Sequence, residues 1–130
     1  MNPVPENTTA LAYIGDAVYE VYIREYIIGT GQVNADAMHK IAIRYVSAEA
    51  QAKILKIIYD ELSEEELGLV KRARNHKIST KPKNTSPVTY KLATAFEALV
   101  GYLYMTGKKE RLNKILMLAV AAAEKREENE

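Results

Sequence analysis

The sequence predicts an all-α protein of about six helices, folded as a single domain. In most segments the apolar residues recur at three- and four-residue steps, and no segment alternates convincingly at the two-residue step of a strand. The chain has 130 residues, with 48% hydrophobic and 27% charged side chains, which is the length and balance of one globular domain. No internal repeat is visible.

The first predicted helix follows a stiff entry that contains Pro3 and Pro5. Residues 7–9 are polar and offer side-chain oxygens for an N-terminal cap. Gly29, Thr30 and Gly31 end the helix. Its apolar residues recur at helical steps and predict one buried stripe, formed by Leu11, Ile14, Val18 and Val21.

Three more helices are predicted before a loop. Asn34 and Ser47 are the expected N-caps of the second and third, which run to about residues 45 and 60. Ser63 with Glu66 three residues later has the spacing of a capping box and opens the fourth. That helix runs into KRARNHK. The stretch that follows, STKPKNTSP, contains two prolines and no apolar period, so we expect a loop there.

The last two predicted helices are the most apolar. The fifth runs from about Val88 to Met105 and is ended by Gly107. Its expected core face consists of Leu92, Phe96, Leu99 and Leu103. The sixth gives way to a polar tail at EKREENE, and its expected core residues are Leu112, Ile115, Leu116, Ala119, Val120 and Ala123.

Composition limits the chemistry that the chain can perform. The formal net charge is +1, so an argument for nucleic-acid binding depends on where the charges lie. Cysteine is absent, which excludes disulfides and thiolate chemistry and fits a reducing cytosol. His39 and His76 are too few for a usual zinc site, so a metal would be held by carboxylates and water, as magnesium or manganese is. We expect no secretion signal and no membrane partner, because the longest apolar run, 115–123, is too short to span a bilayer.

Asp16 is the first residue whose position is unusual. It lies in the middle of the first predicted helix, where aspartate is unfavourable, and it follows Gly15, which is more unfavourable still. Two residues in succession that are unfavourable in a helix indicate a local structural requirement, such as the close approach of another helix at the glycine. The alternative is a solvent-facing aspartate beside a glycine that serves packing alone.

Glu97 is the second such residue. It lies in the fifth and most apolar predicted helix, with Ala93 and Gly101 one turn away on either side. Those small neighbours would allow another helix or a bound ion to approach the carboxylate. Two carboxylates on packed helices can share a magnesium ion, which activates water and stabilises charge on a phosphodiester. The alternative is a partly exposed glutamate at a helix edge.

Two segments of the chain resemble the signature segments of the ribonuclease III catalytic domain. Residues 11–20, LAYIGDAVYE, resemble the first, in which an acidic helix runs into Gly-Asp-Ala/Ser. Residues 93–104, ATAFEALVGYLY, resemble the helix that carries the other metal-binding glutamate. RARNHK and PKNTSPVTYKLATAFEAL are similar to the short branch called Mini-ribonuclease III. The order and spacing fit, and the likeness covers essentially the whole chain.

The resemblance implies that Asp16 and Glu97 are the metal-binding carboxylates of the active site. It also shows two departures. Larger family members have a further glutamate four residues before the aspartate, where this chain has Ala12, and a further acid three residues before the glutamate, where it has Thr94. Water or other groups must complete the metal shell. Glu20 lies one turn after Asp16 and is a weaker candidate ligand, since a surface ion pair with Arg24 also explains it.

Residues 71–83 form a basic block, KRARNHKISTKPK, with six basic residues and no acid. Cations at the end of a helix favour the helix dipole, but that does not explain their continuation through a proline-containing loop. Once the resemblance is admitted, we interpret the block as a double-stranded-RNA contact that follows phosphates and minor-groove shape. We read His76 as a loop contact and not as a catalyst. The proposed RNA-binding residues are Arg72, Arg74, Asn75, His76, Lys77, Lys81, Lys83 and Asn84.

Four tyrosines fall near one another on the first predicted helix. Stacking on bases is one interpretation, but at helical spacing such residues more often fill a core or a dimer contact. They are Tyr13, Tyr19, Tyr22 and Tyr26.

The resemblance implies a homodimeric endoribonuclease in which a metal-activated water cuts opposing strands of an RNA duplex, leaving 5′-phosphates and short 3′ overhangs. Over residues 1–130 it implies one catalytic domain with no double-stranded-RNA-binding domain. For the Mini branch it implies Mg²⁺ (or Mn²⁺), maturation of the large-subunit (23S) ribosomal RNA precursor in the bacterial cytoplasm or a plastid, and assistance by a ribosomal protein. The rival hypotheses are a catalytically silent RNA-binding or ribosome-associated relative, and a helical dimerisation module without RNA.

Overall fold

The computed structural model describes residues 4–76 and 85–128, and every regular element in these ranges is helical. This confirms the all-α prediction. A 3₁₀ turn, Tyr59–Glu61, follows the third helix. The helices are α1 (Thr8–Gly29), α2 (Ala35–Val46), α3 (Ala48–Ile58), α4 (Glu64–Asn75), α5 (Pro87–Met105) and α6 (Lys109–Glu128). Within the described residues, no helix is long and apolar enough to cross a membrane.

The predicted helix starts are confirmed by their side-chain caps. Asn7, Asn34 and Ser47 each accept a hydrogen bond from a backbone N–H in the first turn of the helix that follows. Ser63 and Glu66 form the full capping box, in which each side chain accepts from the other residue's backbone N–H. Because these caps satisfy donors that a helix leaves unpaired, they define where α1 to α4 begin.

Helix α5 is the central element and packs against α1, α3, α4 and α6. Phe96, Leu99 and Leu103 are fully buried on it, as predicted. The ring of Phe96 meets that of Tyr19 on α1 edge to face, with 5.0 Å between centroids. The apolar character of α5 therefore reflects contact with neighbours on several sides.

Helices α1 and α5 touch backbone to backbone at two glycines. A Cβ atom built on Gly15 would lie 1.7 Å from the carbonyl oxygen of Glu97, and one built on Gly101 would lie 1.9 Å from that of Leu11. No side chain fits in either gap. The expected close approach at Gly15 is thus present, and it puts Asp16 on α1 beside Glu97 on α5.

The buried stripe predicted for α1 is partly wrong. Leu11 is buried, but Val21 is 57% exposed, and Ile14 and Val18 are only half-buried. Both sides of α1 carry apolar residues, so periodicity alone does not tell which side meets the core. The buried residues of α1 are Thr8, Leu11, Ala12, Gly15, Tyr19, Ile23 and Ile27.

Helix α6 is longer than predicted, because it continues through the polar tail to Glu128. The hydroxyls of Tyr26 and Tyr45 both donate to the carboxylate of Glu124, the first residue of that tail. The Tyr19 hydroxyl donates in turn to the backbone oxygen of Tyr45 at 2.8 Å. These long-range contacts hold this part of α6 against α1 and α2, and local sequence does not reveal them.

Candidate active site

The fold brings Asp16 and Glu97 together where α1 crosses α5. Asp16 is exposed, whereas Glu97 is half-buried, and the two carboxyl groups are close enough for a hydrogen bond. The backbone contact at Gly15 and Gly101 holds α1 and α5 at a fixed distance. Because both helices are rigid, the carboxyl groups of Asp16 and Glu97 stay close together. The two acids singled out in the sequence thus form one site.

The pKa of Glu97 is raised to about 9. Burial is the largest cause, followed by the hydrogen bond and the negative charge of Asp16, while a hydrogen bond from Gln51 acts in the opposite direction. The folded protein therefore retains a proton that the unfolded chain loses near the ordinary pKa of 4.5. Consequently the metal-free fold loses stability as pH rises from that range through about 9. A cation shared by the two groups would relieve the same repulsion.

Gln51 on α3 is a third polar residue at the site, and it was not predicted from the sequence. It is only 3% exposed. Its Nε2 donates to the backbone oxygen of Val46 at 3.0 Å and to Oε2 of Glu97 at 3.4 Å. Among the described residues, its Oε1 is the buried side-chain polar atom that has no hydrogen-bond partner. The position of Gln51 among apolar residues of the third predicted helix could have drawn attention to it in the sequence.

The site contains fewer acids than larger members of the family are expected to have. At the two positions where larger family members are expected to have an acid, this chain has Ala12, which is buried, and Thr94, which is half-buried. Within the described ranges, no cluster of three or more histidine, aspartate or glutamate side chains could hold a metal. The side chains that could bind a metal here are the carboxylates of Asp16 and Glu97. An all-oxygen set of this kind fits a hard divalent cation that keeps several waters.

Glu20 makes the surface ion pair that was the alternative to metal binding. Its Oε2 lies 3.5 Å from Nε of Arg24, one turn along α1, and the arginine side chain is largely exposed. Such pairs contribute little to stability. The negative charge of Glu20 makes the smallest of the contributions that raise the pKa of Glu97.

The basic block is only partly within the described structure. Arg72, Asn75 and His76 are exposed at the end of α4, and Arg74 is half-buried. His76 is the C-terminal cap residue of that helix. The remaining predicted RNA contacts lie outside the described residues; they are Lys77, Lys81, Lys83 and Asn84. RNA contact by this block therefore stays a prediction.

Comparison with known proteins identifies the family of the chain. The family model described as "Ribonuclease III domain" matches residues 9–108. Mini-ribonuclease 3 of Enterococcus faecalis is 46% identical and covers 85% of each chain. Mini-ribonuclease 3 of a Thermoanaerobacter species is 50% identical, over 88% of this chain and 80% of its own. A crystal structure of a Fusobacterium nucleatum protein superimposes with a TM-score of 0.80 at 35% identity, covering 89% of this chain and 93% of that one.

The helical fold and the matched domain define a nuclease of the ribonuclease III class, a divalent-metal-dependent endoribonuclease. Within that class, the chain belongs to the Mini-ribonuclease 3 branch of the ribonuclease III family. The resemblance noted in the two signature segments is thereby confirmed.

Proposed function

We propose that the chain hydrolyses phosphodiester bonds of double-stranded RNA at the Asp16–Glu97 site, with Mg²⁺ as the cation and Mn²⁺ as a substitute. The observation that carries the proposal is the contact between these two carboxyl groups at the glycine crossing of α1 and α5. When bound, the cation supplies an acidified water and stabilises charge on the phosphodiester. Both carboxylates are hard oxygen donors of the kind that such a cation takes.

The two carboxylates have different surroundings and therefore different tasks. Asp16 is exposed, so it is the group on the side from which a phosphodiester approaches. Glu97 is half-buried and receives an N–H from Gln51, which restricts its carboxylate to one orientation. Because metal-free Glu97 keeps its proton up to about pH 9, a bound cation takes the place of that proton between the two carboxyl groups. Glu20 stays a candidate third ligand, and a cation would have to compete for it with Arg24.

The outer side of α1 supports a homodimer. Tyr13, Val21 and Ile28 are 84%, 57% and 58% exposed, and helical periodicity places all three within about 80° of one another around α1, with Tyr13 one turn before Asp16. Single exposed apolar residues are ordinary, but a row of them marks an interaction surface. We propose that this side of α1 is the self-association surface. Two sites would then cut opposing strands and leave 5′-phosphates with short 3′ overhangs.

The proposed substrate is a stem in the precursor of the large-subunit (23S) ribosomal RNA, with a ribosomal protein as an assisting partner. The family relationship supports this assignment, and the Mini-ribonuclease 3 relatives from Enterococcus and Thermoanaerobacter are bacterial. We therefore propose action in the bacterial cytoplasm, with the plastid as the alternative compartment. Residues 1–130 would act as one catalytic domain with no double-stranded-RNA-binding domain among them.

The decisive experiment is incubation of the purified protein with a long RNA duplex, end-labelled on either strand, in Mg²⁺ or in EDTA. Denaturing gels should show cuts in both strands with Mg²⁺ and none with EDTA, because both proposed sites need the cation. Binding without any cleavage in Mg²⁺ or Mn²⁺ would favour the silent RNA-binding or ribosome-associated relative. The acids absent at Ala12 and Thr94 are the reason for considering that alternative.

The end of α4 should contribute to RNA affinity through phosphate contacts. Changing Arg72 and Arg74 to alanine in an Asp16→Asn background should weaken binding by a similar factor for unrelated duplexes. It should also flatten the dependence of log affinity on log salt by roughly one unit for each phosphate that the protein no longer neutralises. The measurement is duplex affinity at several salt concentrations.

The matched control changes Lys53 and Lys56 to alanine. Both are exposed on α3, so the variant has the same change in net charge at a different place. If the control and the α4 variant alter the affinity and the slope equally, the effect is one of total charge. In that case the basic block is only a solvated helix end.

A further inference from the structure

Gln51 is a buried polar residue that the helical packing alone does not explain. Its side chain lies between the C-terminal end of α2 and the carboxylate of Glu97. A buried acceptor with no partner is unfavourable, and nearly all buried polar atoms in folded proteins are paired. Its Oε1 is such an acceptor. An apolar side chain of similar volume would avoid that penalty.

The orientation of the Gln51 amide is determined by its neighbours. Nε2 faces two acceptors, the backbone oxygen of Val46 and the carboxylate of Glu97. Exchanging the amide oxygen and nitrogen would place the amide oxygen against the backbone oxygen of Val46, two acceptors with no hydrogen between them. The nitrogen therefore faces Val46 and Glu97, and the oxygen at the other end of the same amide is buried without a donor.

From this geometry we infer that Gln51 is a third protein group of the cation site. Its amide N–H orients Glu97, and its amide oxygen, which is closed to solvent in the metal-free fold, is the neutral acceptor that a bound cation or one of its waters would satisfy. The inference rests on the proposed metal site at Asp16 and Glu97. Amide oxygens are ordinary partners of hard divalent cations, either directly or through water. Gln51 thus takes part of the place of the acids missing at Ala12 and Thr94.

A purely structural role for Gln51 explains its amide nitrogen but not its amide oxygen. The hydrogen bond to Val46 joins α3 to the end of α2, and it uses the nitrogen alone. It gives no reason for an acceptor in the interior. A role at the cation site explains both polar groups of the amide. The nitrogen holds Glu97 in place, as the ligands of a metal are usually held by hydrogen bonds, and the oxygen is an acceptor for the cation or its water.

The test measures Mn²⁺ binding to the full chain by calorimetry without RNA, together with the melting temperature of the metal-free protein. Gln51→Met keeps the volume but removes both polar ends, and should weaken Mn²⁺ binding by roughly 10- to 100-fold. Gln51→Glu adds a negative charge and should strengthen binding, since affinity rises with the number of charged ligands. Gln32→Met, the same chemical change at the other glutamine of the chain, should leave binding unchanged. Asp16→Asn should abolish it.

The outcomes separate this inference from the proposed function. If the wild type binds no Mn²⁺, or if the Asp16→Asn variant binds Mn²⁺ as tightly as the wild type, both the inference and the proposed metal site are wrong. If Asp16→Asn removes binding but Gln51→Met lowers only the melting temperature, the metal site stands and Gln51 is structural. Should Gln51→Met fail to fold, Gln51→Glu decides, and an affinity no higher than that of the wild type overturns the inference.

Discussion

Replacing Asp16 by asparagine should abolish cleavage of duplex RNA and leave the helical fold intact. The change keeps the shape of the side chain but removes the charge that a hard cation requires. Metal catalysis contributes several kcal/mol of transition-state stabilisation, which corresponds to a loss of roughly 100-fold or more in rate. Because Asp16 is exposed, the fold does not depend on it. Single-turnover cleavage and circular dichroism measure the two effects.

Glu97→Gln should lose cleavage to the same extent but should change stability differently. The variant removes an acid whose pKa is raised to about 9 by burial and by Asp16. The metal-free variant should therefore be more stable than the wild type above neutral pH, and its stability should vary less between pH 5 and 9. Urea denaturation across that range in EDTA measures the difference.

Glu49→Gln is a suitable control, because this glutamate is exposed in the first turn of α3 and no part of the proposed site involves it. Its cleavage rate should match that of the wild type. If either Asp16→Asn or Glu97→Gln cuts duplex RNA at more than roughly a tenth of the wild-type rate, the proposed metal site is wrong.

The sequence predicted the local features of this fold well. Helix starts follow from side-chain oxygens at fixed offsets, so Asn34, Ser47 and the Ser63 capping box could be identified without a structure, while Asn7 was one of three candidates for the cap of α1. The core side of α5 was also predictable, because its large apolar residues recur at helical steps.

Features that depend on contacts between helices were harder to predict. The exposed side of α1 was misjudged at Val21, since an apolar residue facing solvent and one facing the core look alike in sequence. Where α6 continues into the polar tail, tyrosines from α1 and α2 reach Glu124. Gln51 acquires its significance only when α3 packs against α5. None of these pairings has a local signature.

For Asp16, the two interpretations offered by the sequence are compatible. The aspartate does face solvent, and the glycine beside it does serve packing. What the pattern did not reveal is that this packing partner is the backbone of Glu97, the other acid. The pairing could be anticipated only from the resemblance to the family, because no spacing within one segment specifies a contact between two helices far apart in the chain.

Adding a single methyl group at the glycine crossing should damage both stability and activity. A Cβ on Gly15 or Gly101 would lie within 2 Å of backbone atoms of the opposite helix, and backbone atoms cannot rotate away as a side chain does. The helices must therefore move apart. Overpacking of this kind typically costs about 1–3 kcal/mol and sometimes more, against a gain of about 1 kcal/mol from replacing glycine by alanine in a helix.

The control is Gly68→Ala on α4, where an added Cβ meets nothing within 4 Å. It should raise stability by up to about 1 kcal/mol, whereas Gly15→Ala and Gly101→Ala should lower it. Urea denaturation gives the sign of the stability change for all three variants.

Gly15→Ala and Gly101→Ala should also cleave RNA more slowly under conditions where they remain folded, because separating α1 from α5 draws Asp16 away from Glu97. If Gly15→Ala is as stable and active as Gly68→Ala, the carboxylates are not positioned by backbone contact, and loop or dimer contacts must hold them instead.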